Sequence, residues 1–422
     1  MDSKNYIFAA ASVGASTGNI VLLYSVYGAG HTTVAYFLCA NTVAAVNLLL
    51  LTFLEQFPYF YTKKRLVNPE EAEQFFSSVL VLSFCIVIPA CLLVYSIPET
   101  IAKIFSSKLE RLELLETAAI LKRMALTLLS TTPLYLFQQR FNCAQKIKLS
   151  YLVSLLPTLW LTVVLFMAKY RNLEIIEVIN LFVAGGLATL FFTVFHGLDS
   201  YANPTFKEAG YILKMVKQSA KIRTAHNIHN FISIYLINNA ASATPANLAS
   251  IFFGVKRGVD AFVQVSVGPF LRSLPAVLTN QIGSSMHESI TQKLGKNAKV
   301  ISLVYGVTMF AMCITAIAIS SWWSFNREEV FYFFVSLTAL MAYGLAMSVE
   351  IPFSMVCSAY GKSLSFYLAN TAFIITLGLS VWVLVEWKMY EVLPLGLFIG
   401  QTAILFINRS AAMTMLIGRD KG

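Results

Sequence analysis

From Leu364 to Val385 the chain passes without an Asp, Glu, Lys, Arg or His. A helix needs ~20 apolar residues to cross ~30 Å of hydrocarbon. Comparable runs occupy Ile7 to Tyr27, Thr32 to Phe60, Phe75 to Ile97, Thr117 to Phe137, Leu149 to Ala168 and Ile176 to Phe195. A second set covers Thr224 to Ala243, Asn247 to Leu278, Val300 to Trp323, Val330 to Cys357 and Val392 to Ile417. Lipid offers the backbone no hydrogen-bond partners, so segments of this length span it as helices. The 422 residues are 57% hydrophobic and 12% charged, against about 25% charged in an ordinary soluble domain. The expectation is an all-α polytopic membrane protein of about 12 transmembrane helices.

The N-terminus, with a single Lys4 and a small-residue stretch, imitates a signal peptide, but its apolar run continues to Tyr27 and reads as a first span. Cys39, Cys85, Cys91, Cys143, Cys313 and Cys357 lie in or beside apolar runs with no CxxC pair. They read as small packing residues, not as a disulfide framework or zinc site. His226 and His229 are three residues apart without a nearby Cys or carboxylate, which makes a poor metal site. No metal and no cofactor is expected.

Positive charge stays on the cytoplasmic side of a membrane protein. When the 31 Lys and Arg are sorted between alternate loops, most fall on one side, including Lys63, Lys64, Arg65, Arg140, Lys146, Lys148, Lys214 and Lys217. The other side holds only Lys103, Lys108, Arg111, Lys169, Arg171, Arg327 and Lys388. This distribution predicts that both termini are cytoplasmic. The net charge of +10 then reports orientation and attraction to anionic membrane lipids. No nucleic-acid motif accompanies it.

The longest connection, Leu198 to Arg223, divides the predicted spans six and six. The chain is therefore expected to form an N-terminal lobe (1–197), a cytoplasmic linker (198–223) and a C-terminal lobe (224–422). An internal repeat supports two pseudo-symmetric lobes. FLEQFPYFYT, from Phe53, overlays FLRSLPAVLT, from Phe270, matching Phe53 with Phe270, Leu54 with Leu271, Pro58 with Pro275 and Thr62 with Thr279. Glu55 and Arg272 then stand at equivalent positions with opposite charges.

The segment GVKRGVDAFVQVSVGPFLR, from Gly254, carries four ionisable groups inside a predicted span. At 100° per residue, with Arg257 as origin, Asp260 falls at about −60°, Gln264 at about −20°, Arg272 at about +60° and Lys256 at about −100°. A charge in the bilayer centre costs ~2.5–3.5 kcal/mol even on insertion scales, so such residues face a bundle interior or a wet cavity. The preceding lobe offers a milder polar sector: Asn41, Thr52, Glu55 and Tyr59 fall within a narrow sector of one face of the second span. Ser12, Ser16, Asn19, Asn230 and Ser233 extend the polar lining. Lys122 and Arg123 lie just inside the fourth span, and Glu350 beside Pro352 interrupts the tenth.

Structural readings stand beside these. Arg257 and Asp260 are spaced to neutralise each other, Lys122 and Arg123 to snorkel to headgroups, and Glu350 either to cap broken backbone or to carry a proton. Polar stripes also serve as helix packing contacts. Because Lys256, Arg257, Arg272, Lys122 and Arg123 outnumber Glu55, Asp260 and Glu350, the lining favours an anionic substrate, whose phosphate or carboxylate oxygens suit Arg forks. Tyr59, Tyr61 and Trp160 are candidates for stacking on sugar faces.

LEQFPYFYTKK at the end of the second span, KRGVDAFVQVSVGPFLRSLP in the eighth, and the turns CAQKIKLSY and SAYGKSLSFY resemble the polysaccharide transporter branch of the superfamily that also holds the multidrug and toxin extrusion (MATE) transporters, in particular bacterial O-antigen flippases. The resemblance extends through length and layout over nearly the whole chain. It implies a V-shaped, two-lobe flippase, not an enzyme, that moves an undecaprenyl-diphosphate-linked oligosaccharide across the inner membrane by alternating access, with polysaccharide assembly proteins as possible partners. By that resemblance Arg257 and Arg272, helped by Lys256, Lys122, Arg123, Asn41, Tyr59 and Gln264, would bind substrate. Glu55, Asp260 and Glu350 would be candidates for proton or sodium coupling. A cation-coupled exporter of small amphiphiles is the alternative, although Ile7 to Tyr27 and Thr224 to Ala243 lack the acidic residue that drug extruders often carry there. A polymerase or ligase of the same lipid-linked units is disfavoured by the absence of paired outer carboxylates.

Overall fold

Helix boundaries in this protein follow local capping chemistry. The computed structural model describes residues 3–197, 203–204, 208–281, 300, 302–303, 305–307, 326–359 and 363–418. The first half begins with α1 (Ser3–Tyr27), α2 (His31–Leu51) and α3 (Phe57–Val67). Then α4 (Pro69–Ser96) opens with proline in its first turn, while Glu70 donates its backbone N–H to the Asn68 side chain; proline fits there because the first-turn N–H groups have no helical acceptor. A short α5 (Pro98–Phe105) and α6 (Arg111–Met124) follow. A single 3₁₀ turn, Ala125–Thr127, joins α6 to α7 (Leu128–Cys143). There the Thr127 hydroxyl donates to the Met124 carbonyl at 2.7 Å, taking a backbone acceptor from the helical ladder. The predicted fourth span is thus interrupted, and it extends at both ends.

After α8 (Ile147–Arg171), which ends on a left-handed Asn172, come α9 (Ile175–Gly197) and α10 (Ala209–Ser242). The second half contains α11 (Ala246–Gln281), α12 (Arg327–Ala359), α13 (Ser363–Trp387) and α14 (Val392–Gly418). At the start of α12 the backbone N–H of Asn326 donates to Glu329, and that of Glu329 donates to Asn326, a reciprocal cap. Among the described residues, seven segments are long and apolar enough to cross a membrane: His31–Leu51, Pro69–Ser96, Ile147–Arg171, Ile175–Phe195, Arg327–Ser354, Tyr367–Trp387 and Val392–Thr414. The chain is an all-α polytopic membrane protein. Most of the predicted ninth span, Val300 to Trp323, lies outside the described residues.

Contacts group the chain into two compact units, one of Gly14–Ser242 and the other of Met1–Val13 with Ala243–Gly422. The core of the first is aromatic: Phe57, Phe60, Tyr61, Phe75, Phe76 and Phe137 are buried together with Leu54, Leu136 and Met215. Met215 belongs to α10, which is already helical from Ala209 where the sequence suggested a linker reaching Arg223. Its first turns are held by packing, with Tyr211 set edge-on to Phe60 and Phe75 at centroid distances of 5.0 and 5.3 Å.

The second span also departs from expectation. Thr52–Gln56 forms a turn between α2 and α3 in which Phe53, Leu54 and Phe57 donate to Leu50, Leu51 and Leu54, three residues back. Pro58 explains the break: it has no N–H to give the Leu54 carbonyl, and its ring would collide with that group in a continued helix. The homologous-looking FLRSLP does not break, since α11 continues through Pro275. Glu55 therefore sits in a turn, and Asn41, Thr52, Glu55 and Tyr59 do not share one continuous helix face.

Candidate functional site

Within α11 the charges are arranged differently from the sequence expectation. Lys256, set aside from the shared sector, donates to Asp260 at 2.6 Å, one helical turn away, where side chains meet. Its ammonium also lies 5.8 Å from the centroid of the buried Tyr343 ring on α12. Arg257 is half-buried on the same helix, and Gln264 is exposed. Arg272 lies on the α11 backbone, but its side chain is outside the described residues. This segment thus presents one engaged ion pair next to a guanidinium, backed by a phenol.

The remaining acidic candidate of this unit is buried. Asn408, on α14, donates its side-chain N–H to Glu350 Oε1 on α12 at 2.6 Å. Helix α12 continues past Pro352, so Glu350 is not capping a broken end. The side-chain oxygen of Asn408 has no hydrogen-bond partner among the described residues. In the same unit Tyr305 donates to the Met341 carbonyl at 2.9 Å, and Asn247 donates to Glu329 at 2.6 Å.

In the other unit the predicted residues are dispersed. Asn41, half-buried on α2, donates to Asn238 Oδ1 on α10 at 3.1 Å, while Asn238 donates to the Leu38 carbonyl and Thr42 hydroxyl. Lys122, in the last turn of α6, stands 4.8 Å from the Tyr95 ring, and Arg123 beside it is exposed. Tyr59 is 48% exposed on α3. Tyr61 is fully buried, so its ring is not offered to a sugar. Its phenol donates to Glu73 at 2.6 Å; burial first, then that hydrogen bond, holds its pKa well above the usual tyrosine value. Trp160 donates to the Leu181 carbonyl and lies over Gly185, where an added Cβ would overlap the indole. Asn19 donates to the Thr158 carbonyl, a packing contact between α1 and α8.

Two ionic clusters escaped the sequence reading. Arg140 is nine-tenths buried, bridges Glu73 at 2.8 Å, and stacks on Phe76 and Phe141 at 4.9 and 5.7 Å. Lys64 bridges Glu208 at 2.7 Å and Glu71 at 3.8 Å, and sits 4.8 Å over Tyr211. These pairs join α3, α4, α7 and the residue before α10. Nothing local marks them, because the partners are far apart in sequence. The Lys256–Asp260 pair, in contrast, was available from its i, i+4 spacing.

With this geometry in view, the backbone can be compared with solved structures. A lipid II flippase, MurJ, in an inward closed conformation superposes with a TM-score of 0.66 at 14% identity, covering 97% of this chain and 87% of that one. A Vibrio cholerae MATE transporter, VcmN, gives 0.68 at 12% identity over 99% and 98%. A transporter of the MOP superfamily from Pyrococcus furiosus, described as having a binding pocket of reversed polarity, gives 0.63 at 11% over 99% and 97%. The fold is MATE-like. No protein-family model and no curated protein matches the sequence.

Proposed function

We propose that this protein is a flippase that moves an undecaprenyl-diphosphate-linked oligosaccharide, such as an O-antigen repeat unit, across the bacterial inner membrane by alternating access, with both termini cytoplasmic. The observation that carries this reading is the charge of α11, where Lys256, Arg257 and Asp260 fall within little more than one turn of a helix that the sequence reads as a span. Such charge marks a polar path in a membrane protein, and a diphosphate is the substrate group that Arg recognises best. The backbone likeness to a lipid II flippase supports a lipid-linked substrate. In this reading 1–197 and 224–422 are the moving lobes, Arg257, Arg272 and Lys256 meet the diphosphate, and Lys122, Arg123, Asn41, Tyr59 and Gln264 serve elsewhere on the route. No bond is broken, so no catalytic group is required.

The test is transbilayer movement of a fluorescent undecaprenyl-diphosphate oligosaccharide in proteoliposomes. Wild type should flip it, and correctly inserted Arg257→Ala and Arg272→Ala variants should not. Equal movement by all three would make the charges structural.

A second reading, a cation-coupled exporter of small amphiphiles, is favoured by one observation, the buried Glu350–Asn408 contact, with Glu55 and Asp260 as further ion-coupling candidates. Drug susceptibility of deletion and overexpression strains separates the two readings.

A further inference from the structure

Helices α4 and α5 meet at a single residue. Ile97 donates its backbone N–H to the Leu93 carbonyl, closing α4, and its own carbonyl accepts from Ile101, opening α5. The backbone of Ile97, at φ −126° and ψ 49°, is not helical. Pro98 then takes the first position of α5, where a missing N–H leaves no acceptor unmet. The segment Pro69–Ser96 is apolar and long enough to cross a membrane. Connectivity therefore starts α5 two residues beyond the end of a candidate span.

The residues of this short helix sort into three sectors. With Ile101 as origin, Ile97 and Ile104 lie at about −40° and −60°, Phe105 and Ala102 at about 40° and 100°, and Thr100, Lys103 and Glu99 at about −100°, −160° and 160°. The Phe105–Ala102 sector is turned into the protein: both residues are buried, and Phe105 stands edge-on to Phe231 of α10 at 5.3 Å. Just past the helix, Ser107 donates its backbone N–H and its hydroxyl to Asn239 of α10 at 3.1 and 2.7 Å. Thr100, Lys103 and Glu99 form an exposed polar sector. Between the two, Ile97 and Ile104 are 44% and 53% exposed, and Leu92 and Leu93 in the last turn of α4 are exposed as well.

A single exposed isoleucine means little on a protein surface. Here the order of the sectors and their place in the chain decide the reading. Immersing α5 in hydrocarbon would strand Glu99 and Lys103, at a high cost for each charge. Setting it wholly in water would leave four large aliphatic side chains wet beside the end of a span. The boundary satisfies both, because an interfacial helix buries its apolar face ~5–10 Å into the layer between headgroups and acyl chains and keeps its polar face wet.

We propose that the Ile97–Ile104 flank of α5 is a lipid-binding surface, seated among the upper acyl chains of the leaflet in which α4 ends, with Glu99, Thr100 and Lys103 in the headgroup water. Through Phe105 and Ser107 the same segment fastens that boundary to the end of α10. The surface does not depend on which substrate is moved.

The experiment places a photoreactive benzoylphenylalanine, one position at a time, at Ile97, Ile104, Thr100 and Lys103 of the full-length protein in vesicles of phosphatidylethanolamine and phosphatidylglycerol. After irradiation, intact-mass measurement reads phospholipid adducts, which should be several-fold more abundant from Ile97 and Ile104 than from Thr100 and Lys103. Adduct from Ile104 no more abundant than from Lys103, or cross-links from Ile104 to a second copy of this chain in place of lipid, would overturn the proposal. All four side chains are exposed, so melting temperatures near that of wild type are expected. A measurement without the bulky probe uses Ile104→Cys and Lys103→Cys in permeabilised vesicles of the same lipids. A charged maleimide should label the Lys103 variant well above the wild-type background and leave the Ile104 variant near it, and equal labelling of the two would also refute the placement.

Discussion

Glu350 and Asn408 meet at 2.6 Å between α12 and α14, and both side chains are buried. A carboxyl held this way depends on a donor from another helix and has little water, so replacing that donor should be felt in the packing of α12 on α14. Asn408→Leu is expected to destabilise by about 2 kcal/mol, the usual range for a buried hydrogen bond to an ionisable group. Glu350→Gln keeps an acceptor and should fold nearly as well. Thermal unfolding in detergent measures both. If Glu350 couples an ion to transport, Glu350→Gln should also abolish stimulation by an imposed ion gradient while leaving the melting temperature intact.

The Arg140–Glu73 bridge predicts a larger loss. Arg140→Ala leaves Glu73 and the Tyr61 hydroxyl without the guanidinium and opens a gap against Phe76, at a cost of about 3–5 kcal/mol. Tyr61→Phe removes only the hydrogen bond and should cost about 1–2 kcal/mol. A melting-temperature order of wild type, Tyr61→Phe, Arg140→Ala is the expected result; an Arg140→Ala protein as stable as Tyr61→Phe would contradict it.

Lys256 and Asp260 should behave as a coupled pair. Their side chains are 18% and 36% exposed, so screening limits the coupling to about 0.5–1 kcal/mol. Lys256→Met and Asp260→Asn, singly and together, form the cycle. The double variant should lose less than the sum of the singles, and strict additivity would show that the contact contributes nothing.

Gly185 is required by its neighbour. A methyl group there would overlap the Trp160 indole, and overpacking of this kind costs about 1–3 kcal/mol. Gly185→Ala should therefore lower the melting temperature, and adding Trp160→Leu should recover part of it. The same rescue would fail if the glycine were needed only for backbone freedom.

Hydropathy located the helices because bilayer thickness imposes a length on them, and α2, α4, α8, α9, α13 and α14 lie where the apolar runs do. It missed the beginning of α10 for a physical reason. Averaging over Lys214 and Lys217 hides a 3.6-residue alternation with Tyr211, Met215 and Ser219, which is legible once the faces are separated. Pro58 favours the turn at Thr52–Gln56 but does not make it legible alone, because helices run on through Pro89, Pro133, Pro157 and Pro352. What no local pattern carries is partner choice across helices. Asn41 read as a lining residue, yet its amide reaches Asn238, and Arg140 read as a loop charge, yet it is buried on Glu73.

The turn between α2 and α3 also constrains how this protein can vary. Gln56 gives its backbone N–H to Ser219, so α10 supplies a bond that an unbroken helix would have made for itself, and Asn227 ties the same turn to α10 through the Thr52 hydroxyl at 2.8 Å. In hydrocarbon an unmet polar group costs several kcal/mol. Straightening the chain at Pro58 would therefore take from Ser219 the N–H it accepts, and making Ser219 apolar would strand Gln56. The defect in one helix and the polarity of another are a single heritable unit, which mutation can abandon only by changing both at once.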